Sequence, residues 1–319
     1  MHSVESLNDL GEQHHLAILH FLREEEVKLL IRLVKYHHLT VVHCFIVAKD
    51  CAYVASGLGF SQREIERMKL AGLLHDIGKL SMELIVLDEG VDVEEQRNIV
   101  KAFGILCDER VNLLEKITMR QLVQYRSGHL RFWDKKYLNP TEAKEILQRL
   151  ENGKQADVSI MDHIKRHQAY TRQLLQSIGV PEAVIEVAAS HHPEYYEKPL
   201  TKVEIKIISA VDKFNAMIQS EGHRPYDNPK EISEALKALI DRKENLRVLR
   251  ILAQKYLPIE LQAIRAKSDK LMTKKIVPFN EVGVLRARMA CYDYVAKKLG
   301  FPPFLRPAKR AAVTTSAAA

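Results

Sequence analysis

The residues best suited to chemistry are histidines and aspartates. The chain has 14 histidines, and their placement matters more than their number. His75 and Asp76 stand side by side in Leu74-His75-Asp76-Ile77-Gly78-Lys79, where a helical pattern gives way to a glycine turn. On a continuing helix adjacent side chains diverge by about 100°, but at a helix end both can converge on one ion. Imidazole and carboxylate suit a first-row divalent metal, and a carboxylate has two oxygens with which to bridge two ions. Lys79 adds a positive charge that suits a phosphate beside them. Asp212 lies in the apolar run Ile207-Ile208-Ser209-Ala210-Val211-Asp212, where an unpaired carboxylate would cost roughly several kcal/mol. It must be hydrogen-bonded, ion-paired or on a metal. His43 sits in the apolar stretch from Val41 to Val47, and His191-His192 close a short helical pattern. His163 and His167 are one helical turn apart, and spacing alone does not choose between them.

The elements that position these residues read as helices almost throughout. Strand-type alternation is scarce, and glycines and prolines fall mostly between helical stretches. The spacing predicts an all-α fold. It has a helical lead-in over 1–26, a long helix from about Val27 to Ser56, and a helix opened by the Ser61/Glu64 capping box and reaching Leu74. Helices of 84–155, without a chemical constellation, come next. Further helices are expected from about Val158 to Ile178, from Pro181 to Pro193, over Val203–Gln219, from Pro229 to Met272 and from Asn280 to Leu299. The tail 306–319 reads as disordered.

Composition narrows the classes. With 46% apolar and 28% charged residues, the chain is neither disordered nor a disulfide scaffold. Its four cysteines form no CxxC pair, which excludes a zinc knuckle or a dithiol motif of that type. No secretory signal pattern opens the sequence and no apolar run is expected to span a membrane, so a cytoplasmic protein is expected. Residues 228–319 carry 19 Lys and Arg against 8 Asp and Glu, a balance of +11, while the first 227 carry −4. Thin aromatic interleaving argues against a nucleic-acid partner. A solvated helical face explains the basic third more simply, and a homodimer or protein partner stays open.

The order His43, His75-Asp76 with Gly78-Lys79, His167, His191-His192, Asp212 and Arg224-Pro225-Tyr226 resembles the HD-GYP branch of the HD-domain metallohydrolases, over about residues 36–240. The resemblance implies a helical HD domain, here residues 27–227 with 84–155 as an insertion and 228–305 as helices packing on it. It implies two or three iron or manganese ions and hydrolysis of cyclic di-GMP. Carried over by position, His43, His75, Asp76 and Asp212 hold one ion. Asp76, His167, His191 and His192 hold a second, with Asp76 bridging and His167 chosen over His163. Lys79 and Arg224 take phosphate-contact positions. The sequence departs from the family after its paired histidines. Pro193-Glu194-Tyr195-Tyr196 stands in place of the Asp-Gly-x-Gly-Tyr-Pro loop, with Tyr195 or Tyr196 as a substitute for the loop tyrosine. Leu39 stands where the family uses an acidic residue for a third ion. The expectation is therefore a dinuclear phosphodiesterase with weak or altered activity, taking a nucleotide or cyclic dinucleotide. The alternatives are a metal-containing sensor or scaffold without turnover and, less favoured by the Lys79/Arg224 pair, a diiron oxygenase.

Overall fold

The computed structural model describes residues 22–83, 86, 91–106, 112–131, 134–195, 202–219, 229–272 and 279–304. Arg224, Tyr196, most of the lead-in 1–26 and the tail 306–319 lie outside the described residues. The architecture is all-α: among the described residues no strand forms, and pairing of that kind is limited to an isolated bridge between Thr118 and Ser159. The chain divides into two compact units, Met1–Asp212 with Ser220–Asn228, and Lys213–Gln219 with Pro229–Ala319.

In the first unit the expected long opening helix is two. α1 (Glu24–Tyr36) ends at His37, whose backbone (φ −154°, ψ 87°) leaves the helix, and α2 (His38–Gly57) begins there. The break is held locally, because the His37 Nδ1 accepts from the Thr40 amide, an N-cap by an unusual residue. α2 is the core helix, burying Val41, Phe45, Val47, Ala48, Val54 and Ala55. By length and composition it is apolar enough to cross a membrane, but 61% of its most apolar window is buried within the fold, as a core helix requires. α3 (Gln62–Leu74) starts at the expected Ser61/Glu64 capping box. α3 lies close on α2 because residue 72 is glycine: a Cβ there would stand 2.8 Å from the Cα of Ala48. That approach sets His43, on α2, beside His75 at the end of α3.

The segment that follows has its own apolar cluster. α4 (Val93–Ala102), α5 (Met119–Gly128) and α6 (Pro140–Asn152) surround Ile99, Leu114, Ile117, Met119, Leu122, Val123 and Leu150. The helix expected over 158–178 is also divided. α7 (Ile160–Lys165) and α8 (His167–Ser177) meet at Arg166, so His163 and His167 sit on different helices. α9 (Glu182–Ala188) ends at Ala189, before His191 and His192, which stand on irregular backbone rather than in the last turn of a helix. α10 (Val203–Ile218) carries Asp212.

The second unit comprises the end of α10, α11 (Ile232–Asp241), α12 (Leu246–Met272) and α13 (Phe279–Leu299). The expected helix over 229–272 is broken between Asp241 and Leu246, where Lys243 takes φ 60°. Glu260, 1% exposed, ties the three later helices together by accepting from the Ser233 amide and hydroxyl and from Arg288.

Candidate metal centre

The turn after α3 aims His75 and Asp76 inward. His75 keeps helical backbone angles, while Asp76 (φ −100°, ψ 9°) starts the 3-10 turn Ile77–Ser81. Gly78 presses this turn against α8, since a Cβ there would lie 2.0 Å from the His167 carbonyl oxygen and 2.5 Å from the Thr171 nitrogen. Thr171 clamps the same turn. Its hydroxyl donates to the His75 carbonyl at 3.0 Å and accepts from the Gly78 amide at 3.0 Å. The backbone itself thus brings the His75-Asp76 pair against His167.

Three imidazoles share one arrangement. The Nδ1 of His75 lies 2.8 Å from the Gly72 carbonyl, that of His167 2.6 Å from Ile164, and that of His191 2.7 Å from Ala188. A carbonyl only accepts, so each Nδ1 carries the proton and each Nε2 is turned to the interior. Burial is the first cause that keeps His167 and His191 neutral, bringing His167 down to about 4 and His191 well below the usual range. Their two Nε2 atoms nevertheless face each other at 2.9 Å. Two lone pairs at that distance repel unless a cation or a proton stands between them.

Asp76 faces both sides of this arrangement. Its Oδ1 is 3.6 Å from His167 Nε2 and 3.8 Å from His191 Nε2, while its Oδ2 is 3.4 Å from His75 Nε2 and 2.6 Å from Lys79 Nζ. Burial alone would raise its carboxyl, but Lys79 and the imidazoles outweigh that and hold it well below the carboxylate range. Asp212 accepts from His43 Nε2 at 2.8 Å and lies 3.6 Å from His75 Nε2. The buried carboxyl of Asp212 is likewise held low, against burial, by His43 and His75. Burial would lower His75, but Asp76, Cys44 and Asp212 raise it well above its ordinary value.

The structure therefore brings together His43, His75 and Asp212 as one donor group and His167, His191 and His192 as a second, each within 4.8 Å. Asp76 spans the two. Tyr195 packs its ring 5.0 Å from that of His192. His163 is not part of this: it is buried beside Gln155, with Nδ1 3.4 Å from the Gln155 oxygen. Two contributors were not anticipated. Thr171 is one turn beyond His167, a spacing that could have flagged it. Cys44 groups with His75 and Asp76 within 4.8 Å, but in an apolar run a cysteine reads as core.

The donor set fits divalent metal. The Nε2 of His75 is fully buried without a hydrogen-bond partner, the His167 and His191 lone pairs converge, and two carboxylates supply the balancing charge. Such orphaned buried nitrogens are costly unless something binds them. No curated protein and no solved structure matches the chain. A family model does match, and it covers His43, His75, Asp76 and Lys79 while ending before His167, His191, His192 and Asp212. HD domains are metal-dependent and all-α, in keeping with both the donors and the helices. Residues 40–152 match the HD domain.

Proposed function

We propose that this protein is a dinuclear metal-dependent phosphohydrolase acting on a phosphodiester, with a cyclic dinucleotide of the cyclic di-GMP type as its substrate class. The HD domain match suggests metal-dependent phosphohydrolysis. The observation that carries the dinuclear reading is the Asp76 carboxylate. One oxygen faces His167 and His191 and the other faces His75. On this reading His43, His75, Asp76 and Asp212 hold one ion and Asp76, His167, His191 and His192 the other, iron or manganese in each place. Bound there, the ions would polarise phosphoryl oxygens and lower the pKa of water for attack.

The remaining work belongs to side chains. Lys79, 26% exposed, reaches from the surface to Asp76. With the carboxylate's charge balanced by metal, its ammonium is released to hold a phosphate oxygen and to complement charge that builds up there. Tyr195, half-buried against His192, stacks on a base or closes the rim. Arg224 is proposed as a second phosphate contact. The Gly72, Ile164 and Ala188 carbonyls each accept from an Nδ1 and so turn three Nε2 atoms inward, fixing orientation before any ligand arrives.

Metal analysis of the native protein, together with hydrolysis of bis-p-nitrophenyl phosphate and cyclic di-GMP by separately loaded iron and manganese forms, tests the reading. Two ions per chain, turnover of the activated diester and slow turnover of cyclic di-GMP are expected, because the replaced loop removes contacts to a two-base substrate. Two ions and tight nucleotide binding with no hydrolysis in either form would replace this reading with the sensor. One ion or none would overturn the dinuclear centre.

A further inference from the structure

Cys44 follows His43 on α2 and is fully buried. A core cysteine ordinarily packs its sulfur among apolar atoms. This one lies where its sulfur, a His75 ring nitrogen and an Asp76 carboxylate oxygen all fall within 4.8 Å of one another. The His75 Nδ1 is committed to the Gly72 carbonyl, so the nitrogen left for this group is Nε2. That atom is fully buried and has no hydrogen-bond partner, and both Asp76 Oδ2 and Asp212 Oδ1 approach it, at 3.4 and 3.6 Å. Sulfur, imidazole and the Asp76 carboxylate therefore form one buried donor group, and His75 is shared between it and the group of His43 and Asp212.

We propose that Cys44 is an additional metal donor at the His75–Asp76 side of the centre, and that its sulfur biases this position toward iron(II), for which zinc and cobalt(II) serve as thiophilic probes, over manganese. The proposal rests on the metal-centre reading above. A position built of imidazole and carboxylate alone accepts manganese readily, whereas a sulfur donor favours softer ions. On binding, the thiol gives up its proton and stays on the ion as thiolate, and with Asp76 and Asp212 it outbalances a divalent charge. Because Asp76 faces both donor groups, the second ion would take up that excess, and Lys79 stays available for phosphate. Cys51 provides the internal comparison: it is buried on the same helix two turns on, yet it joins no donor group.

Loading the protein with cobalt(II) under anaerobic conditions reads the sulfur directly. The wild type should show a sulfur-to-cobalt charge-transfer band in the near ultraviolet. Cys44→Ser and Cys44→Ala should lose it while Cys51→Ser keeps it. In zinc–manganese competition the preference for zinc should fall by about tenfold or more in Cys44→Ser. To guard against a variant that fails to fold, zinc-edge X-ray absorption of the wild type should show a sulfur neighbour at about 2.3 Å. Cobalt bound with no sulfur band, or a band that survives in Cys44→Ser, would overturn the role of Cys44 and leave the metal centre standing. Failure of the wild type to take up cobalt or zinc at all would overturn the centre, and this proposal with it.

Discussion

Two sets of polar groups are buried in the first unit, and they are handled in opposite ways. In the segment after the HD dipeptide, Arg126 and Glu95 are 3% and 6% exposed and meet in a two-bond pair, Nε to Oε1 at 2.8 Å and Nη2 to Oε2 at 3.0 Å. Lys136 completes the group with bonds to Glu95 at 2.9 Å and Asp92 at 2.8 Å. Charge and hydrogen bonding close on themselves there. Around Asp76, by contrast, nitrogen lone pairs face each other and His75 Nε2 has no hydrogen-bond partner. A fold tolerates the first arrangement for its own sake, whereas the second carries a cost that a bound cation would relieve. Burial of polar residues alone does not mark a site, and neither does one unmatched atom, since the buried His163 Nε2 has no hydrogen-bond partner either. Unmatched nitrogens that converge with carboxylates do.

The sharpest way to break the contrast is at Asp76. Asp76→Ala should leave less than one ion per chain by elemental analysis, since both donor groups lose their shared carboxylate. The metal-linked stabilisation should vanish with it, about 4 kcal/mol at a thousandfold excess of metal over its Kd. A variant that kept two ions would mean the imidazoles do not depend on Asp76. Glu95→Ala should behave in the reverse manner. It strands the Arg126 guanidinium, a loss of about 3–5 kcal/mol in denaturant unfolding, while the metal content stays that of the wild type. If Glu95→Ala emptied the centre, the two regions would not be separable.

Gly78→Ala lies between these extremes. A methyl group 2.0 Å from the His167 carbonyl must push the turn off α8, and overpacking of this kind costs about 1–3 kcal/mol. Because the displaced residues are Asp76 on one side and His167 on the other, weaker metal binding should accompany the lost stability. Calorimetric titration with manganese checks it, and unchanged affinity would mean that the turn's fit against α8 does not position the donors.

How much of this was legible in the sequence depends on the range of the interaction. The Ser61/Glu64 box is local, three residues apart, and it forms as read. Asp212 was legible because a carboxylate in an apolar helix demands a partner, and it has one in His43, 169 residues away. The identity of that partner was not readable from spacing. The helix breaks at His37 and Arg166 escaped notice because neither carries a glycine or proline; His37 is held by its own side chain on Thr40, and the turn at Arg166 sets His167 against Gly78. The Glu95–Arg126–Lys136 group went unseen because its members are 31 and 41 residues apart in a stretch with no recognisable motif. Cys44 was hidden by its apolar neighbours, since a periodicity argument assigns it to the core, where indeed it lies.

The finest form of the comparison uses two histidines of nearly equal burial, His163 and His167, 2% exposed each. Burial is the first cause in both, and both are brought down to about 4. Their surroundings differ. His167 points Nε2 at His191 and Asp76, whereas His163 stands beside Gln155. A histidine whose folded pKa lies below its unfolded value binds fewer protons in the folded state. It costs nothing above about pH 6.5, and stability falls as pH drops from there toward 4. For His163 the loss should be about 1 kcal/mol between pH 6.5 and 5.5. His163→Gln should therefore flatten the acid limb of stability in metal-loaded protein by about one proton's worth and leave metal content untouched. His167→Gln should lower metal content at neutral pH, where His163 has no effect. Denaturant unfolding at a series of pH values, with metal analysis of each variant, separates them. If His163→Gln lost metal, or if its stability fell with acid as steeply as that of the wild type, an equal pKa shift would not divide a structural histidine from a ligand in the way these two neighbours imply.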